Sequence, residues 1–288
     1  SLGHQGFFGV GAFTSAYMVT TQKQSFAVAL VVAALTGAVA SVLMGFVALR
    51  VRGLYLALVT LAYGRLAEES LFLLPLFGGG AGIEAPRPAG FETDRAFYYL
   101  CLLFLASLIY FDWRFTKTKA GRAINALREN EQVASSYAVN VRNYKLMAFV
   151  VAGIYVGLAG ALFAHRNTRV VAEDFNFQLA LLFVIMTVVG GIRNRTGVVI
   201  GGLFFGLFRD YLADFLHRIS GVLPHFVSQN ADQLGSVLGA VLLVVTLIGY
   251  PGGIGQQLKP ITRWLRGEKF SMKHDDNDFV EEGVRGRP

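Results

Sequence analysis

Charge is scarce in this chain, proline is sparse and cysteine is nearly absent. Only 16% of its 288 residues are charged, where a soluble globular domain has about one quarter. The single cysteine, Cys101, lies in an apolar run, which excludes a disulfide framework within the chain and a metal–thiolate centre. His217, His225 and His274 lack metal-ligand spacing and read as surface residues. No Gly-x-x-x-x-Gly-Lys-Ser/Thr phosphate loop occurs, so the chain has no nucleotide grip of that kind. No His/Asp/Glu cluster or nucleophile constellation marks an enzyme, and neither a metal nor another cofactor is expected. No cleavable signal peptide opens the chain. It starts at Ser1 and enters an apolar segment at once, so the expectation is that its true beginning is missing.

What the chain has instead is hydrophobic sequence, 54% of it, arranged in long runs. Residues 26–49 and 233–250 carry no charge, and neither do 97–111, 146–164 and 175–192. A bilayer core needs roughly 20 apolar residues per helix, and several runs approach that length. The fold class expected is therefore all-α, a polytopic transmembrane helix bundle with about eight spans. They are read at 2–20, 26–49, 54–77, 97–111, 144–164, 177–191, 197–215 and 233–250. The third contains Arg65, Glu68 and Glu69, and the sixth is short enough to be broken or re-entrant. The membrane domain covers 1–255, and a basic tail, 256–288, follows with a disordered end.

Many of the 33 glycines lie inside these runs. Ala33, Gly37, Ser41 and Gly45 recur every four residues, and Gly153, Gly157 and Gly160 form a similar ridge. In water each helical glycine would cost about 1 kcal/mol against alanine. In a membrane bundle small residues let helix backbones approach closely, which predicts packing along both ridges.

The net charge of +7 would suit a nucleic-acid partner, but the basic residues cluster between apolar runs and in the tail. Topology explains them better, and no nucleic acid is expected. Arg114, Lys117, Lys119, Arg122, Arg128, Arg142 and Lys145 crowd the stretch 113–145, with Glu129 and Glu131 as its acids. Excess Lys and Arg in a short loop places it in the cytoplasm. The tail, with Lys259, Arg263, Arg266, Lys269 and Lys273, belongs there too. The last four expected spans separate these regions, an even number, so the two assignments agree. The turns with Arg50 and Arg52 and with Arg193 and Arg195 then fall inside, and loops 78–96 and 217–232 fall outside.

Two regions carry candidate functional residues. Residues 123–132 are mostly good helix formers, and no proline interrupts 116–145. Ile124, Leu127, Ala134 and Ala138 give a weakly apolar face, and Arg128 and Glu131 are spaced to pair. Such a helix suits a docking partner or the lipid headgroups equally well. Within the spans, ionisable groups are functional by default. His4 is either that or an interfacial residue. Arg65 and Glu69 are spaced to pair, at a depth where the helix either continues or ends in external water. Thr60 offers a hydroxyl inside an apolar span. Gly79, Gly80 and Gly82 would free backbone amides for a zwitterionic solute, or serve packing alone.

Gly121-Arg122-Ala123 followed by Ala126-Leu127-Arg128-Glu129-Asn130, with Ala134, Ala138 and Asn140-Val141 beyond, resembles the coupling segment of the branched-chain amino-acid ABC importer permeases. The likeness is to the M-type subunit of the leucine/isoleucine/valine high-affinity system. Other stretches resemble that family in order. They are Ser1-Leu2-Gly3-His4-Gln5-Gly6-Phe7-Phe8-Gly9-Val10-Gly11-Ala12, Arg52-Gly53-Leu54-Tyr55, Gly78-Gly79-Gly80-Ala81-Gly82-Ile83, and Gly157-Leu158-Ala159-Gly160. The resemblance implies a pair of permease subunits, identical or not, two cytoplasmic ATPase subunits below them, and an external solute-binding protein. ATP chemistry would then lie in the ATPase. Gly121, Arg122, Ala126, Arg128, Glu129 and Asn130 would transmit its motion. The solute implied is a branched-chain amino acid or a related small polar molecule. Urea and short amides are alternatives within the family, and a self-powered secondary transporter is the alternative outside it. The chain departs from the family pattern at 190–197, at Ala172 and at Gly64-Arg65, and it opens inside the first glycine-rich motif, so the natural protein is expected to be longer.

Overall fold

The structure, a computed structural model, describes residues 2–51, 53–192 and 195–218. The eighth expected span, the tail, Arg52, Arg193 and most of loop 217–232 lie outside the described residues. The chain divides into two units, Ser1–Leu181 and Leu182–Pro288.

The first unit is helical apart from one short ribbon. Helix α1 (His4–Thr20) leads into α2 (Phe26–Ala48), whose first turn is capped by the Ser25 hydroxyl accepting from the Val28 amide. Gly53, at φ +60°, turns the chain into α3 (Leu54–Glu69). Thr93 caps α4 (Asp94–Thr116), and Asp94 adds a negative charge to its first turn, where the helix dipole favours it. Then come α5 (Lys119–Glu129), α6 (Glu131–Ser136) and α7 (Val141–Asn167). Strands β1 (Ile83–Glu84) and β2 (Arg169–Val170) pair antiparallel, Ile83 opposite Val170. Helix α8 (Phe177–Gly190) begins in this unit.

The core is the trio α1, α2 and α7, and glycine is what joins them. Gly11 of α1 lies so close to Gly157 of α7 that no Cβ fits. A Cβ on Gly157 would stand 2.5 Å from the Ala33 carbonyl oxygen, and one on Gly153 would stand 2.5 Å from that of Gly37. The two small-residue ridges read from the sequence therefore meet each other, α2 against α7. Ser15 reaches His165, so α1 and α7 run the same way, while Phe26 at the start of α2 also meets His165, so α2 runs back.

Among the described residues four helices are long and apolar enough to cross a bilayer: Phe26–Ala48, Asp94–Thr116, Val141–Asn167 and Ala172–Gly190. Helices α1 and α3, at 17 and 16 residues, are shorter. The third expected span, drawn to residue 77, ends at Glu69. Ser70 leaves helical geometry at φ −134°, and two 3₁₀ turns follow, the second opened by Pro75. Arg65 binds Glu68 at 3.1 Å and Glu69 at 3.4 Å at this end of the helix, half-exposed. The fourth span runs longer than the 97–111 expected, because Thr93 caps it earlier and residues 112–116, with Asp112 and Arg114, remain helical.

In the second unit, α8 continues to Gly190 and α9 (Arg195–Arg218) follows. Gly190 and Gly201 let the two helices touch, a Cβ on Gly201 falling 2.9 Å from the Gly190 Cα.

Candidate functional site

Helices α1 and α3 run side by side in the same direction, and small residues set their distance. A Cβ on Gly3 would stand 2.7 Å from the Thr60 carbonyl oxygen, and one on Gly6 would stand 2.6 Å from the Tyr63 ring. Gly64 receives the Gln5 side chain, whose Nε2 lies 2.7 Å from where a Cβ would be. Gln5 is fully buried, and among the described residues neither its amide oxygen nor its amide nitrogen has a hydrogen-bond partner. Leaving a buried polar group unpaired costs about 1–3 kcal/mol, so this amide needs an explanation. Thr60 is 2% exposed and spends its hydroxyl on the Ala57 carbonyl of its own helix, at 3.0 Å. His4 opens α1, its ring edge-on to Phe7 at 5.8 Å.

Of the five expected pathway residues, Thr60 and His4 thus belong to the two helices of one seam. Gly79, Gly80 and Gly82 do not join them. They form the turn that precedes β1, with φ of +57°, +89° and +79°. Nothing approaches the Gly79 Cβ position, whereas Gly82 packs on the Val170 carbonyl. The sequence reading passed over Gln5, although an amide inside an apolar, glycine-rich run is itself a signal.

It also passed over His165. This side chain is fully buried at the ribbon end of α7. Its Nδ1 lies 2.7 Å from the Pro86 carbonyl oxygen and its Nε2 2.9 Å from the Ser15 hydroxyl. A carbonyl only accepts, so Nδ1 carries the proton; in the neutral ring Nε2 then accepts from Ser15. One imidazole therefore ties α1, α7 and the loop before α4 together. Arg87, in the same loop, binds Asp94 at 2.6 Å and donates to the Arg166 carbonyl. Beside them Phe13, Phe72 and Phe175 are completely buried against one another, with Phe13 stacked on Phe72 at 4.9 Å.

At the other end lie the residues expected to couple. The helix read through 123–132 is in fact two helices, broken at Asn130. Thr118 caps α5 by accepting from the Gly121 amide at 3.2 Å. Gly121 is buried where α5 folds back on α4; a Cβ there would fall 2.5 Å from the Thr116 Cα. Arg122 donates to the Lys117 carbonyl at 2.7 Å. The Asn130 amide reaches back to the Ala126 carbonyl, while its side-chain oxygen accepts from Gln132 and Val133 and starts α6. The expected pairing of Arg128 with Glu131 does not form. The break at Asn130 turns Glu131 away, and it binds Lys145 of α7 at 2.6 Å. Arg128 instead meets Glu129 at 3.5 Å, both about half-exposed. Arg122 and Asn130 thus hold the loop's own shape, and Arg128 and Glu129 face outward.

Among the described residues no three His, Cys, Asp or Glu side chains gather closely enough to hold a metal ion. Apolar helices joined through glycine, with a few buried polar groups, define a polytopic helical membrane protein. The chain belongs to the family described as branched-chain amino acid transport system / permease component, whose match spans residues 1–248. It is 33% identical to the high-affinity branched-chain amino acid transport system permease protein LivM of Escherichia coli (strain K12), over 92% of this chain and 66% of that protein. LivM of Salmonella typhimurium is 32% identical over 93% of this chain, and a probable LivM of Methanocaldococcus jannaschii 25% identical over 81%. The chain spans 66% of the length of the first two relatives. No solved structure matches it.

Proposed function

We propose that this protein is the membrane-spanning permease subunit of an ATP-driven importer in the prokaryotic inner membrane, moving branched-chain amino acids inward. The observation that carries the reading is likeness to LivM proteins along nearly the whole chain. In this reading ATP is hydrolysed by separate cytoplasmic ATPase subunits, a second permease subunit completes the path, and an external binding protein delivers the solute. The basic end, with α5 and α6, faces the cytoplasm together with the C-terminus, in line with the excess of Lys and Arg there. Helix α5, anchored on α4 at Gly121 and on its own backbone by Arg122 and Asn130, receives the ATPase through Arg128 and Glu129. The α1–α3 seam lines the path. The Gln5 amide, which can both donate and accept, suits a solute with one carboxylate and one ammonium group. Thr60 and His4 flank it, and Gly79, Gly80 and Gly82 shape the outer mouth.

More distant relatives include autoinducer 2 and nucleoside permeases, so another small polar solute is the second reading. The test is reconstitution of the natural full-length protein into liposomes with its ATPase, partner permease and binding protein, following labelled leucine. Uptake that requires all components and ATP is expected. Uptake driven by an ion gradient without the ATPase would overturn the importer, and ATP-driven uptake of another solute alone would overturn the amino acid.

A further inference from the structure

Helices α2 and α7 are closed on each other at Gly45, which Leu146 and Phe149 cover. Beyond it, at the basic end, they part. An open groove of about 490 Å³ lies there, lined by Phe46, Leu49 and Arg50 from the end of α2 and by Glu131, Arg142 and Lys145 from α6 and α7. The Arg142 guanidinium stands 5.9 Å from the centre of the Phe46 ring, joining the two sides. Lys145 is neutralised by Glu131. Arg50 and Arg142 are exposed, and among the described residues neither has a carboxylate partner.

The groove continues upward as an apolar line. Val31, Leu35, Val39, Leu43 and Phe46 follow one another at helical spacing along α2 and are 60%, 59%, 60%, 65% and 45% exposed. An exposed apolar stripe of this kind on a membrane helix faces hydrocarbon. It ends at two guanidinium groups that have no carboxylate partner among the described residues, and at the N-terminus of the long helix α7, where backbone amides and the dipole favour an anion. Apolar stem and cationic head therefore meet at the depth of the lipid headgroups.

We infer that this groove seats an anionic phospholipid, its phosphate between Arg50 and Arg142 and one acyl chain along the Leu43–Val39–Leu35 line. Guanidinium groups grip phosphate oxygens in a planar fork, and basic grooves between membrane helices suit anionic headgroups. A soluble phosphate would use the arginines but not the stripe. An apolar partner helix would cover the stripe but leave the two guanidinium groups unused. The inference stands on this groove and is independent of which solute the protein moves.

The experiment is native mass spectrometry of the full chain released from nanodiscs of equal parts phosphatidylglycerol and phosphatidylcholine. Wild-type protein is expected to retain phosphatidylglycerol in preference to phosphatidylcholine. The Arg50→Gln/Arg142→Gln variant should lose that preference by about tenfold. Glu131→Gln, which releases Lys145, should raise retention, a gain that misfolding cannot produce. An unchanged preference in the double variant, or no gain with Glu131→Gln, overturns the site. So does displacement of the lipid by 10 mM inorganic phosphate (on the order of a weak free-anion site), and so does a double variant that keeps its lipid but no longer binds ATPase subunits.

Discussion

Gly64 of α3 and Gln5 of α1 are in direct contact, the glycine leaving the space that the buried amide occupies. Among the described residues the amide has no partner there, so its burial is a cost to the fold. In the proposed permease that cost is an energetic reason for the seam to accept a polar guest.

Replacing Gln5 by Leu removes the unpaired group and keeps the volume. The variant is expected to gain about 1 kcal/mol in stability, read as a higher melting temperature in detergent, while uptake falls. Stability and transport moving in opposite directions distinguishes a solute contact from a packing residue. Gly64→Ala should do the reverse of the first and share the second: the methyl collides with the amide, so both stability and uptake drop.

The α2–α7 contact makes a different prediction. Gly153→Val and Gly157→Val would drive side chains into backbone carbonyls of α2, and overpacking of this kind costs about 1–3 kcal/mol or more. Gly79→Ala meets no neighbouring atom and carries only the penalty of a positive φ, about 1 kcal/mol. Thermal unfolding of the variants in one detergent should rank them in that order.

At the loop, scaffolding and contact can be separated. Asn130→Ala removes the cap of α6 and should cost about 1 kcal/mol locally, seen as faster amide exchange at 131–136. Arg128→Ala with Glu129→Ala removes an exposed pair worth at most about 0.5 kcal/mol, so folding should be intact. In the reconstituted importer the double variant is nonetheless expected to hydrolyse ATP without uptake. Normal uptake would remove these two residues from the coupling surface.

His165 and Ser15 should behave as a unit. Each replacement by alanine removes the same buried hydrogen bond, so the double variant should cost less than the two single costs added, with an interaction energy of about 0.5–3 kcal/mol. Strict additivity, measured by thermal unfolding, would mean that the 2.9 Å contact contributes nothing.

The parts of this fold that were legible in the sequence are those with local or periodic causes. The apolar runs at 26–49, 97–111, 146–164 and 175–192 fall largely in helices, and the ridges Ala33–Gly37–Ser41–Gly45 and Gly153–Gly157–Gly160 met because recurrence every three or four residues fixes a helix face. The end of α3 was not legible, since an apolar run from 70 to 77 reads as helix until Ser70 and Pro75 are seen to redirect it. The break at Asn130 was missed for a related reason: asparagine is both a tolerable helix residue and a good cap, and the Lys145–Glu131 pair that accompanies the second lies 14 positions apart in sequence. Gln5 and His165 were hidden because their significance lies in Gly64, Ser15 and Pro86, none of them a sequence neighbour.

The glycine contacts of the α1–α2–α7 core have a consequence for how the bundle comes together in lipid. Between membrane helices there is no water to expel, so association cannot draw on the hydrophobic effect. Helices that touch through long side chains must also freeze rotamers, at up to about 2 kcal/mol for each flexible chain. Where Gly11 meets Gly157 and Gly153 meets Gly37 there are no rotamers to freeze. These close contacts form with almost no loss of side-chain entropy, so little of the dispersion gained between the two backbones is offset.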